Sequence, residues 1–172
     1  MRTFKIIMLC MLSVFISQTA DAKKYKWNYD RSVEVYTTGQ GANRTQIVKS
    51  WAVAGNADKA IIQAKMDAVS AALFKGIPFD ASTHGMGVSN LHPLVSPEQY
   101  KENETFFNDF FKKGTFLNYV HEVNSMYPTG ENNMKVPGGR RVGVNLVVDY
   151  PGLRNLLKEL GIGKGLDGYF KN

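Results

Sequence analysis

Cysteine is nearly absent: the chain holds one, Cys10. No internal disulfide can form, and no thiolate cluster can hold a metal. Long apolar runs are scarce as well. The longest, residues 6–16 (IIMLCMLSVFI), falls short of the roughly 20 residues that cross a bilayer as a helix. Acidic residues are outnumbered, with 15 against 21 lysines and arginines, so the net charge is +6. The sequence has no His-Glu-x-x-His pair for zinc and no Gly-x-Ser-x-Gly elbow for a serine nucleophile. Gly39 and Gly41 lack the third glycine and the directly following helix of a dinucleotide fingerprint. No repeat or low-complexity segment appears, beyond two hairpin-plus-helix units that hint at a loose internal duplication.

What is present begins with an export signal. Arg2 and Lys5 precede the apolar run, and Ala20-Asp21-Ala22 follows it as a small-x-small cleavage pattern. Residues 1–22 are therefore expected to be a signal peptide, with the mature chain starting at Lys23. Cys10 sits inside the apolar run after Ile7-Met8-Leu9. It lacks the small residue that a lipobox places before its cysteine, so the mature chain is expected to be cysteine-free and not a lipoprotein. Cleavage removes two basic residues and one acidic one, leaving a charge of +5. The expected compartment is the periplasm or the exterior, with possible association to the outer membrane. Export argues against a nucleic-acid partner.

Four segments follow: the leader, a basic stretch over residues 23–31, one domain over residues 32–165, and a tail over residues 166–172. In the basic stretch Lys23, Lys24 and Lys26 interleave with Tyr25 and Trp27. Basic residues beside aromatics can grip an anionic membrane surface or an acidic glycan. The plainer expectation is a solvated terminal arm. Lys24, Tyr25, Lys26 and Trp27 are the candidate binding residues of this arm.

The domain alternates clearly. Residues 32–38 and 46–54 each show period-two patterning around a glycine-bearing turn, which predicts a β-hairpin. Residues 56–75 predict a helix capped by Asn56 and stopped by Gly76 and Pro78. One face carries Ala57, Ala60, Ile61, Ala64, Ala68, Ala71 and Ala72, small enough to lie close on a sheet. A second stripe, Ile62, Met66, Val69 and Leu73, needs another cover. Lys59, Gln63, Asp67 and Ser70 form the polar edge.

Ser96-Pro97-Glu98-Gln99 opens a second helix, expected to run to Lys113, with a capping box and a dense aromatic stripe. That stripe reads as core payload and as the cover for the first helix. Residues 115–123 and 140–150 predict a second hairpin across a long polar, mobile loop, and a short helix follows from Pro151 to Leu160. The expected order is ββααββα. Two hairpins pairing into one antiparallel sheet with helices layered on it make an α+β two-layer sandwich.

The connection over residues 76–95 is long for a compact domain, and such loops often carry function. It holds Asp80, Ser82, Thr83, His84, Ser89, Asn90 and His92. Asp80, His84 and His92 are the candidate catalytic residues of an enzyme reading, as a hydrolase or a metal-dependent enzyme. Without a zinc signature or a nucleophile elbow, the expectation is no metal and no cofactor.

Trp51-Ala-Val-Ala-Gly55, followed by the alanine-spaced helix from Ala60 to Ala71, resembles the opening of the LPP20-like lipoproteins and of the N-terminal domain of flagellar assembly protein T. Val142 to Tyr150 and Leu153 to Leu160 look like the strand and helix that close such domains. The resemblance implies a small exported α+β domain of the Gram-negative envelope that binds or assembles with other components. It implies no catalytic residue. The missing lipobox and the long 76–95 connection depart from the family, and no flagellar partner is implied.

Overall fold

Two antiparallel hairpins meet at their long strands in the computed structural model, which describes residues 25–79 and 90–162. Strands β1 (Glu34–Gln40) and β2 (Gln46–Ala54) form the first hairpin. β2 pairs along its full length with β5 (Gly139–Val148). The other edge of β5 carries two short strands, β3 (Val120–Glu122) and β4 (Asn133–Val136). All four pairings are antiparallel, and the order is β1-β2-β5-β3, with β4 also on β5. Helix α1 (Ala57–Ser70) lies across β2 and β5. Helices α2 (Pro97–Glu102), α3 (Glu104–Lys112) and α4 (Tyr150–Glu159) complete an α+β sandwich.

The alanine face of α1 sets the packing. Ala60, Ala64, Ala68 and Ala72 are fully buried, and β2 meets them with small side chains. Val48, Ser50 and Ala52 point inward, and the Ser50 hydroxyl donates to the Ala64 carbonyl at 2.9 Å. The bulkier Ile47, Trp51 and Val53 therefore occupy the outer face, as period-two alternation requires. There Trp51 lies over Gly143, where a Cβ would stand 2.7 Å from its ring. The Arg141 guanidinium covers the ring at 4.0 Å and is held by Glu34 at 2.7 Å. Three neighbouring strands are thus clipped together.

Met66, Val69 and Leu73, from the second stripe, are also buried. After Ser70 the helix widens into a π turn (Ala71–Lys75), closed by a bond from the Gly76 amide to the Ala71 carbonyl. Gly76 has φ 75°, and a Cβ there would meet the Leu91 carbonyl at 2.6 Å. Only glycine satisfies both constraints.

Several expectations need correction. The second helix divides at Asn103, whose own side chain donates to the Gln99 carbonyl at 2.9 Å and competes with helical continuation. The capping box of Ser96 and Gln99 forms as read. Residues 115–119 coil into a 3-10 turn, burying Phe116, and only residues 120–122 are strand. The connection expected to be a mobile loop includes β4. It returns into β5 through Val136-Pro137-Gly138-Gly139, with Gly138 at φ 85° as a Pro-Gly turn needs. Leu160, the last residue of the expected helix, is 47% exposed, and α4 ends one residue before it. Asp67 and Ser70, assigned to a polar edge, are buried.

The largest correction concerns the N-terminal stretch. Residues 25–31 are a strap, not a free arm. Trp27 stacks on Phe111 at 4.4 Å and 9°, Tyr29 stacks on Tyr100 at 3.8 Å, and Tyr25 meets Phe116 edge-on at 5.5 Å. The Tyr25 amide donates to the Lys112 carbonyl. Arg31 then ion-pairs with the buried Asp67 at 3.2 Å, and Lys75 donates to the Arg31 carbonyl. The aromatic stripe of α2 and α3 is large enough to need cover beyond α1, and the strap provides it.

Candidate functional site

A cleft of about 720 Å³ opens where the β1–β2 turn, residues 90–92 and the first turns of α4 come together. The hairpin contributes Gln40, Arg44 and Gln46, the returning chain Asn90, Leu91 and His92, and the helix Tyr150, Pro151, Arg154 and Asn155. Each wall is fixed by local chemistry. The hairpin turn holds Asn43 and Arg44 in left-handed backbone, at φ 54° and 61°. The Thr45 hydroxyl, donating to the Ala42 carbonyl at 2.8 Å, and the Gly41 amide, donating to the Thr45 carbonyl at 2.9 Å, close that turn. The buried Gln46 side chain donates to the Arg44 carbonyl at 3.4 Å.

The second wall is tied at both ends. Ile77 and Leu91 exchange backbone hydrogen bonds at 2.9 Å each way, and the Asn90 side chain accepts from the Phe79 amide at 2.7 Å. On the third wall Asp149 caps α4 by accepting from the Gly152 amide at 2.9 Å. Tyr150 and Arg154 lie one turn apart, and Tyr150 is buried together with Leu153 and Leu157, which adjoin it at helical spacing. The Tyr150 hydroxyl donates to the His92 carbonyl at 2.7 Å, joining the second wall to the third. Burial pushes the Tyr150 pKa up, and the nearby Arg154 opposes it, so the phenol remains a proton donor at neutral pH. The Arg154 guanidinium lies 5.6 Å from the Tyr150 ring centroid.

The described lining of this cleft has two guanidinium groups and an imidazole but no carboxylate. Other grooves differ. The one beside β1 contains both Arg31 with Asp67 and Arg141 with Glu34. The one beside β3 contains Lys49 and Glu122, with Glu122 ion-paired to Lys65 at 2.8 Å.

The residues singled out from sequence do not all meet here. His92 is exposed at the rim, and its carbonyl carries the Tyr150 bond. Asp80 and His84 lie outside the described residues, as does Lys24. Tyr25 and Trp27 turn inward on the aromatic layer, and only Lys26 faces solvent. Arg44, Gln46, Tyr150 and Arg154 were not legible as a site, because hairpin turn and helix are over 100 positions apart. The one available signal was the i, i+4 pairing of Tyr150 with Arg154. Among the described residues no group of three His, Cys, Asp or Glu could hold a metal ion. Among them, too, no helix is long and apolar enough to cross a membrane. No family model, no curated protein and no solved structure matches the chain.

Proposed function

We propose that this protein is an exported, non-enzymatic binding module of the bacterial envelope, acting in the periplasm or at the outer membrane. The leader pattern of residues 1–22 and the resemblance to LPP20-like and flagellar assembly protein T domains support the compartment. The observation that carries the binding reading is the cleft itself. Its walls are preformed, fixed by the bonds from the Tyr150 hydroxyl to the His92 carbonyl and from the Gln46 side-chain amide to the Arg44 carbonyl. An envelope protein is the expected partner class for assembly. An anionic membrane surface has less support, because Tyr25 and Trp27 are spent on the core.

A second reading, a hydrolase or metal-dependent enzyme using Asp80, His84 and His92, draws on the position of His92 at the cleft rim. One experiment separates the two. The protein purified from its native envelope is incubated with the soluble small-molecule and glycan fraction of that envelope, and bound material is eluted and weighed by mass spectrometry. The binding reading expects ligand recovered chemically unchanged, and a protein whose first residue is Lys23. Progressive conversion of the ligand, lost in His92→Ala, would replace it with the enzyme reading. An intact leader on the envelope protein would remove the argument for export.

A further inference from the structure

We infer that a break in the edge of β5 captures the free C-terminal end of a partner polypeptide, with Lys49 holding its carboxylate. The site shares no lining residue with the cleft beside α4 and stands independently of it. Three observations point to it.

The first is the break itself. β4 pairs with β5 from Gly139 to Val142, and β3 pairs with it from Leu146 to Val148. Gly143, Val144 and Asn145 have no strand partner on that edge, and they line a groove of about 490 Å³. The Asn145 carbonyl accepts from the Val123 amide at 3.0 Å. A residue of an antiparallel strand turns its N–H and C=O to the same edge. The Asn145 amide therefore faces the break as well, where no carbonyl of β3 or β4 meets it. Gly143, two residues back, turns its carbonyl the same way. The Asn132 amide, next along from β4, donates to the Thr129 carbonyl at 3.1 Å instead. One backbone donor and one backbone acceptor are thus presented to a short extended segment, as in strand addition.

The second is charge. Lys49 is the cross-strand partner of Asn145 and lies on the outer face of the sheet. Its ammonium donates to the Asn132 side chain at 2.6 Å and lies 5.1 Å from the Trp51 ring centroid. That bond uses one of three N–H groups. Burial pushes the Lys49 pKa down, a cost that an arriving carboxylate offsets. Among the described residues the groove has one carboxylate, Glu122. Glu122 pairs across the strands with the buried Leu146, so it faces the helix side, where Lys65 holds it at 2.8 Å. A carboxylate can reach Lys49 without breaking an ion pair.

The third is the rim. Met126 is 73% exposed and Tyr127 53%, with Pro128 beside them. The rim is held over the break. The Asn133 side chain donates to the Pro128 carbonyl, and the Tyr127 hydroxyl donates to Asp58, each at 3.0 Å. Apolar side chains at the mouth of a charged slot suit the last side chain of a peptide, and a methionine adapts to its shape. A small bare anion would leave them unused.

The test is calorimetry and amide NMR on the mature chain from residue 23 with three probes. These are an N-acetylated alanine tetrapeptide ending in leucine with a free carboxylate, the same peptide amidated at its C-terminus, and acetate. The free acid should bind about ten-fold or more tightly than either of the others. Its largest shifts should fall at Gly143 to Asn145. Lys49→Gln should weaken the free acid by about ten-fold and leave the amidated peptide unchanged. Lys49→Arg, which keeps the charge, should bind better than Lys49→Gln. Lys158→Gln, an exposed cation on α4, should change nothing. Circular dichroism confirms that each variant is folded.

Equal binding of acid and amide, or equal loss in the Lys158 variant, would overturn the inference. Acetate binding as tightly as the peptide would leave a plain carboxylate site and overturn the polypeptide assignment. Absence of binding by the free-acid peptide also overturns it. None of these outcomes bears on the cleft beside α4, which the envelope fraction tests separately.

Discussion

Truncating Trp27 distinguishes a structural strap from a solvated arm. Trp27 is stacked on Phe111 at 4.4 Å, with Phe74 at 6.0 Å and Tyr100 at 6.1 Å around it. Large aromatic-to-alanine changes in a core cost about 3–5 kcal/mol. Trp27 is half-buried, so the loss in Trp27→Ala should be about 2–3 kcal/mol on the same scale. An exposed terminal residue would give within about 0.5 kcal/mol of zero. Guanidinium unfolding followed by circular dichroism should show a lower midpoint with an unchanged slope. The indole nitrogen of Trp27 is buried without a partner. Trp27→Phe therefore deletes an unsatisfied donor, worth about 1–3 kcal/mol, while keeping most of the stacking area. It should be far milder than the alanine change. A double-mutant cycle with Phe111→Leu should show coupling of about 0.5–1.5 kcal/mol. An unchanged midpoint in Trp27→Ala would refute the strap.

Asp67 gives a pH signature. Burial, the larger effect, pushes its carboxyl up, while the Gln63 bond and the charges of Arg31 and Lys75 pull it back. With the folded value above the ordinary 3.8, the folded state binds the proton more tightly, so stability rises as pH falls through the raised value toward the ordinary one. Relative to Asp67→Asn, the wild type should gain stability across that window, and a parallel pair of stability curves would contradict it. Ala64→Leu or Ala68→Leu should destabilise by about 1–3 kcal/mol, because α1 lies too close to β2 to admit the volume; unchanged unfolding midpoints would mean that face is free. Gly143→Ala places a Cβ 2.7 Å from the Trp51 ring. It should cost about 1–3 kcal/mol and change Trp51 fluorescence as the Arg141 stack is displaced, whereas an unaltered spectrum would count against the clip.

Local features were readable where one period or one cap decides the structure. The β1–β2 hairpin, the Asn56 cap, the alanine face of α1 and the Ser96–Gln99 box are of this kind. Features that depend on distant partners were not. The strap alternates aromatic with polar and charged residues, and the aromatic surplus of α2 and α3 explains why its rings turn inward. Asp67 looked like part of a solvated edge until Arg31 arrived from the strap. The 3-10 turn at residues 115–119 reads TFLNY, rich in strand-forming residues, yet Phe116 is drawn to Phe111 and Tyr25 instead of into a strand. The cleft joins residues 44, 92 and 154 through the pairing of β2 with β5, which brings the hairpin turn beside the start of α4. Periodicity shows that these strands exist but not which neighbour each one takes.

The most direct measurement of the functional account is amide NMR on the mature chain, titrated with the soluble small-molecule and glycan fraction of the native envelope. The account predicts the largest shifts at Arg44 to Gln46, Asn90 to His92 and Arg154 to Asn155, with little change at Trp51 or Arg141 on the outer sheet face. Shifts confined to that outer face, or to the strap around Trp27, would contradict it.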